Sequence, residues 1–121
     1  MAGFVKFEVP KELVDTIYEA VALASRSGKL RKGVNESTKA IERGIAKLVI
    51  MAQDVSPEEI LMHIPMICDE KKTPYVYVPA KLDLGKASGI NVPTSAITIV
   101  EAGEGKKQLD EIVKKLETLK K

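Results

Sequence analysis

Five consecutive apolar residues, Leu48-Val49-Ile50-Met51-Ala52, stand between Gly44 and Asp54. A run this short and unbroken has the length of a strand, and a strand that is apolar on both faces must be covered on both. The chain is therefore expected to build layers on either side of a central sheet.

The surrounding segments alternate in kind. From Pro10, the residues Leu13, Val14, Ile17, Tyr18, Val21 and Ala24 share one helical face, and Gly28 reads as the stop. Lys29–Lys32 reads as a short strand with a turn at Gly33. Asn35 reads as the N-cap of a second helix, with Glu36 in its first turn and Gly44 at its end. Pro57 suits the first turn of a third helix running to Lys71, and Pro65 should break that helix into two pieces. Tyr75-Val76-Tyr77-Val78, between Pro74 and Pro79, is strand-like. A short helix over Lys81–Ala87, a loop over Ser88–Thr94 and a strand over Ala96–Val100 follow. The last helix, Gln108–Lys121, carries the stripe Leu109, Ile112, Val113, Leu116 and Leu119. Alternation of this kind predicts one α/β domain over residues 1–121, a three-layer α/β/α sandwich around a mostly four-stranded mixed sheet.

With 121 residues, 45% of them hydrophobic, such a core needs no staples, but without tryptophan it must be built from aliphatic side chains. The single cysteine, Cys68, forms no internal disulfide, and no Cys–His zinc spacing exists, so neither metal nor cofactor is expected. No apolar run approaches the roughly 18 residues of a membrane span. Met1–Pro10 lacks the features of a signal peptide. A cytoplasmic protein, monomeric when free, is the expectation.

Net charge is only +2, but it is unevenly spread. Arg26, Lys29, Arg31, Lys32, Lys39, Arg43 and Lys47 face only Glu36 and Glu42 over residues 26–47, which carry +5 and leave −3 for the rest. A local positive field suits either a defined anionic partner or a solvated lysine-rich face.

Catalysis finds little support. His63 sits among apolar neighbours in Met62-His63-Ile64-Pro65 and reads as a packed histidine. A pairing with Cys68, five positions on, would make a small hydrolase but lacks an orienting third group. Gly85-Lys86-Ala87-Ser88-Gly89 lacks the ending and the preceding strand of a phosphate-binding loop. A non-enzyme is expected.

Gly33-Val34-Asn35-Glu36-Ser37-Thr38-Lys39 differs in kind. Glycine permits a sharp turn and close approach of a partner. An amide, a carboxylate and, one turn later, an ammonium then offer the donor and acceptor types that read base edges. A helix N-terminus also favours phosphate. The same residues serve equally well as a cap, a dipole partner and an intrahelical ion pair. Two further loops are candidates to join the segment. Asp54 follows the buried strand, and Ile90 and Val92 lie in Ser88–Pro93, where they either stack on an unpaired base or tuck beneath the sheet.

Arg31–Ile41, with its Gly-x-Asn-Glu-x-x-Lys core, resembles the signature of the kink-turn-binding ribosomal protein family, most nearly its archaeal members. The likeness continues through Leu48–Pro57, His63-Ile64-Pro65 and Leu84–Gly89. The resemblance implies a protein that recognises tandem sheared G·A pairs at a kink in RNA and stabilises the bend. It implies membership of the large ribosomal subunit, of box C/D and H/ACA guide RNPs and of ribonuclease P. The partners would then be 23S rRNA, the guide RNAs, ribonuclease P RNA and the proteins that assemble on those complexes. Carried over by motif, Asn35, Glu36 and Lys39 would contact the G·A pairs, with Gly33 admitting the backbone. Asp54 would meet the flipped-out nucleotide, and Ile90, Asn91 and Val92 would pack over the kink. Lys32, Arg43, Lys81 and Lys86 would be phosphate contacts. Archaeal members often have glutamate where this chain has Asn91, which leaves that residue's contact open.

Overall fold

A computed structural model of the chain describes residues 11–54, 59–90 and 92–119. Nine elements follow in order: α1 (Lys11–Ser27), β1 (Lys29–Lys32), α2 (Val34–Glu42), β2 (Leu48–Ala52), α3 (Glu59–Lys71), β3 (Tyr75–Val78), α4 (Lys81–Ala87), β4 (Ala96–Glu101) and α5 (Lys106–Leu119), with a single 3-10 turn at Gly103–Gly105. The strands form one mixed sheet in the order β1-β4-β2-β3. β4 is antiparallel to both neighbours, and β2 is parallel to β3. On one face α1 packs against α4 and α5; on the other α2 packs against α3. The three-layer α/β/α sandwich expected from the alternation is what forms.

The apolar run decides the centre. All five residues of β2 are buried, with Ile50 and Met51 fully inaccessible, because a helical layer covers each side of this interior strand. β3 lies at a sheet edge, yet its four residues are buried too, and the Tyr75 and Tyr77 rings meet edge to face at 6.1 Å. The other edge, β1, is of opposite character. Lys29, Arg31 and Lys32 are exposed there, and charge on an edge strand discourages pairing with another chain.

Three details depart from expectation. First, Pro65 lies inside one continuous α3 rather than breaking it. Proline forfeits one backbone hydrogen bond, but Ile64, Pro65 and Cys68 are all buried, and that burial offsets a cost of about 3 kcal/mol. Second, Gly28 stops α1 as expected but without the left-handed backbone of a usual glycine cap; its role is spacing, since a Cβ there would overlap the carbonyl of Glu101. Third, the cap of α2 is Gly33, not Asn35. Pro57 lies outside the described residues.

Candidate functional site

α2 starts two residues earlier than its best capping residue would dictate. The Gly33 N–H donates to Ala96 O at 2.8 Å, an extension of the β1–β4 ladder, and its carbonyl accepts the Ser37 N–H at 3.0 Å. Gly33 thus belongs to sheet and helix together, at φ 96° and ψ 162°, a region closed to other L-residues. Nothing lies within 4 Å of where its Cβ would be. Being a glycine, this cap residue makes no side-chain bond to the helix start.

Asn35 is consequently released from capping and stands exposed in the first turn with Glu36, and Lys39 is one turn on. Ser37, Ala40 and Ile41 form the opposite, buried face. The Lys39 ammonium and Glu36 carboxylate are 3.7 Å apart at 62% and 50% exposure. A pair so exposed contributes only about 0.3–0.5 kcal/mol and is readily exchanged for other partners. Gly44 ends the helix as expected: its N–H reaches Ile41 O and the Ile45 N–H reaches Ala40 O.

The other loops arrive at the same end of the sheet. The Ala52 N–H donates to Ser95 O at 2.9 Å, and the Gln53 N–H to Val78 O at 2.8 Å. The carboxylate of exposed Asp54 accepts the Lys81 N–H at 2.8 Å, supplying the first turn of α4 with an acceptor that its own cap, Ala80, lacks. The Lys81 carbonyl in turn accepts the Thr94 N–H at 3.0 Å, which folds the 88–94 loop back along α4. That return requires Gly85, where a Cβ would overlap the Val92 carbonyl. Pinned this way, Val92 is 56% exposed while Ile90 is half-buried, so the two apolar residues of the loop divide between surface and interior. Asn91 lies outside the described residues.

One end of the sheet therefore gathers Gly33, Asn35, Glu36, Asp54 and Lys81, with Lys32 exposed at the last position of β1. Arg43 is exposed at the far end of α2, about 14 Å along the helix from Val34. Lys86 is exposed in the last turn of α4 and is likewise not drawn into this cluster.

Two residues outside the expected set bear on this end. Arg31 pairs with Thr98, in one row with Val49 and Tyr75. It is exposed, and Lys32, also exposed, projects from the other face. Period-two alternation along β1 separates these two adjacent cations. The second is His63, whose Nε2 lies 3.0 Å from Thr38 Oγ1. That hydroxyl donates to Val34 O at 2.8 Å, so the imidazole Nε2–H is the donor to it. The histidine ties α3 to α2. Cys68, five helical positions on, is fully buried. Burial raises the phenol pKa of Tyr18, with Asp83 adding to the effect; Tyr18 lies behind the Asp54–Lys81 junction.

Residues 15–109 match the model of the Ribosomal protein L7Ae/L30e/S12e/Gadd45 family. The fold superimposes on the solved structure of a Giardia lamblia 15.5kD RNA binding protein with a TM-score of 0.93, at 33% sequence identity, covering 98% of this chain and 99% of that one. A family match over most of the chain, and a structural likeness extending through nearly all of it, lead to one conclusion: the chain belongs to the Ribosomal protein L7Ae/L30e/S12e/Gadd45 family.

Proposed function

We propose that the protein is a non-catalytic RNA-binding protein that recognises and stabilises kink-turn RNA. The observation that carries this reading is the start of α2. Gly33 closes the turn and caps the helix without a side chain, and Asn35, Glu36 and Lys39 are left together on its exposed face. A helix N-terminus offers backbone N–H groups and positive dipole to an anion. The carboxylate of Glu36 repels phosphate, so its use is to accept from a base amino or imino group, while Asn35 and Lys39 supply donors. Description of a structural neighbour as an RNA binding protein supports the class of ligand.

In this reading Asn35, Glu36 and Lys39 contact the sheared G·A pairs, and Val92, with Ile90 and Asn91, covers the bend. Asp54 has one carboxylate oxygen on α4 and acts at the flipped-out nucleotide through the other. Arg31 and Lys32 flank the segment on opposite sheet faces, placed to meet the two backbones that a kink brings together; Lys81 is a phosphate contact beside Asp54, and Lys86 and Arg43 are more distant ones. Free RNA is only partly bent, and binding draws its population to the kinked state. The proposed setting is the cytoplasm, in the large ribosomal subunit, in box C/D and H/ACA guide RNPs and in ribonuclease P. A titration with one kink-turn RNA, and with the same RNA carrying Watson–Crick pairs in place of the G·A pairs, tests it. Preference for the first is expected; equal affinity overturns the proposal.

A further inference from the structure

The end of the sheet opposite α2's N-terminus holds a groove that the RNA reading does not use. It runs where α5 passes the starts of β2 and β3. Two adjoining cavities of about 370 and 450 Å³ share the walls Lys47, Leu109 and Asp110. A third, of about 300 Å³, joins the second through Pro74 and Val113 and ends at Lys72 and Leu116. From Lys106 to Leu116 the groove is about 15 Å long, the span of roughly five residues of extended chain. Leu109, Val113, Leu116 and Pro74 form its apolar floor, while exposed Lys47, Lys72, Lys106 and Lys114 stand on its rim against Asp69 and Asp110.

Four lysines against two aspartates leave the lining with a net positive charge. A nucleic-acid backbone would use the lysines but not the apolar floor. A neutral apolar peptide would use the floor but not the rim. We propose that this groove docks an acidic segment of a partner protein, extended and alternating carboxylate with aliphatic side chains. The aliphatic groups would enter between α5 and Pro74, and the carboxylates would meet the lysines. The strands separate this groove from the Gly33 end by about 17 Å, so both ends are available at once.

The test is an amide NMR titration of the whole protein, alone and saturated with kink-turn RNA. The probe is a synthetic peptide alternating glutamate with leucine. Two controls replace every leucine by serine or every glutamate by lysine. Shifts at Lys47, Leu109, Val113 and Lys114, in both states of the protein, are expected from the first peptide alone. The doubly substituted Lys47→Glu, Lys106→Glu protein, altered only at exposed positions, should bind that peptide at least roughly tenfold more weakly. Equal binding of the serine peptide would reduce the groove to unspecific charge and overturn the proposal. So would an absence of shifts, or shifts at these amides on adding RNA alone. None of these results depends on the G·A preference that tests the RNA reading.

Discussion

The Asp54 carboxylate accepts the backbone N–H of Lys81 at 2.8 Å, joining residues 27 positions apart. The loop after β2 thereby supplies the cap of α4. Asp54→Ala should cost about 0.5–2 kcal/mol, the range for loss of a helix cap. Asp54→Asn keeps the acceptor and should retain most of that stability. Urea denaturation of the RNA-free protein measures both, and an unchanged Asp54→Ala midpoint would show that the bond contributes nothing to the fold.

Lys39→Ala should separate binding from stability. Its ion pair with Glu36 is exposed, so unfolding should change by less than about 0.5 kcal/mol. Kink-turn affinity should fall by about 1–3 kcal/mol, roughly 5- to 150-fold, with weaker discrimination for the G·A pairs. Affinity and thermal unfolding measured on one sample check the two halves together.

Gly33→Ala meets no steric obstacle, since the space around the Cβ position is empty, yet the backbone at φ 96° excludes it. A loss of about 1–3 kcal/mol is expected from this glycine-only backbone region alone. The relief of that strain would shift the start of α2, so RNA affinity should fall as well. Full stability in the alanine variant would mean that the turn relaxes freely.

Lys72 has φ 57°, the one non-glycine residue with positive φ among the described residues. It ends α3, with its N–H toward Asp69 O and the Thr73 N–H on Cys68 O at 2.8 Å. This is the cap geometry glycine usually serves. Lys72→Gly should therefore stabilise the fold by about 0.5–1 kcal/mol without changing RNA affinity. Equilibrium denaturation decides the sign.

Burial pushes the Tyr77 phenol far above its ordinary value of 10.0, with Tyr75 adding to the effect. The unfolded chain releases that proton near pH 10 while the folded protein holds it, so the sign is fixed. Stability should be level below about pH 10 and decline above it as the unfolded state gains from ionisation. Tyr77→Phe should flatten the decline seen in urea midpoints between neutral and alkaline pH.

How far the fold was legible varied by element. The strands and helices were readable because burial on both faces and a 3.6-residue stripe leave plain marks on composition. Asn35 misled because its capping preference is local, whereas the start of α2 is fixed by a bond from Gly33 to Ala96, sixty-three positions away in sequence. Pro65 misled for a related reason, since its local cost is offset by core contacts that no window around it contains. Within β1, the opposite directions of Arg31 and Lys32 followed from period-two alternation once the strand was paired.

The sequence by itself determined the layered architecture and singled out Gly33, Asn35, Glu36 and Lys39, since a run apolar on both faces and a short polar motif are properties of neighbouring residues. Only the tertiary structure decided that Asp54 caps α4, that Val92 faces outward while Ile90 turns in, and that His63 braces Thr38. These relationships join segments far apart in the chain. The close approach that makes them exists only after the sheet has paired and the helices have packed, when a hydrogen bond across 27 positions no longer carries the entropy of closing its own loop.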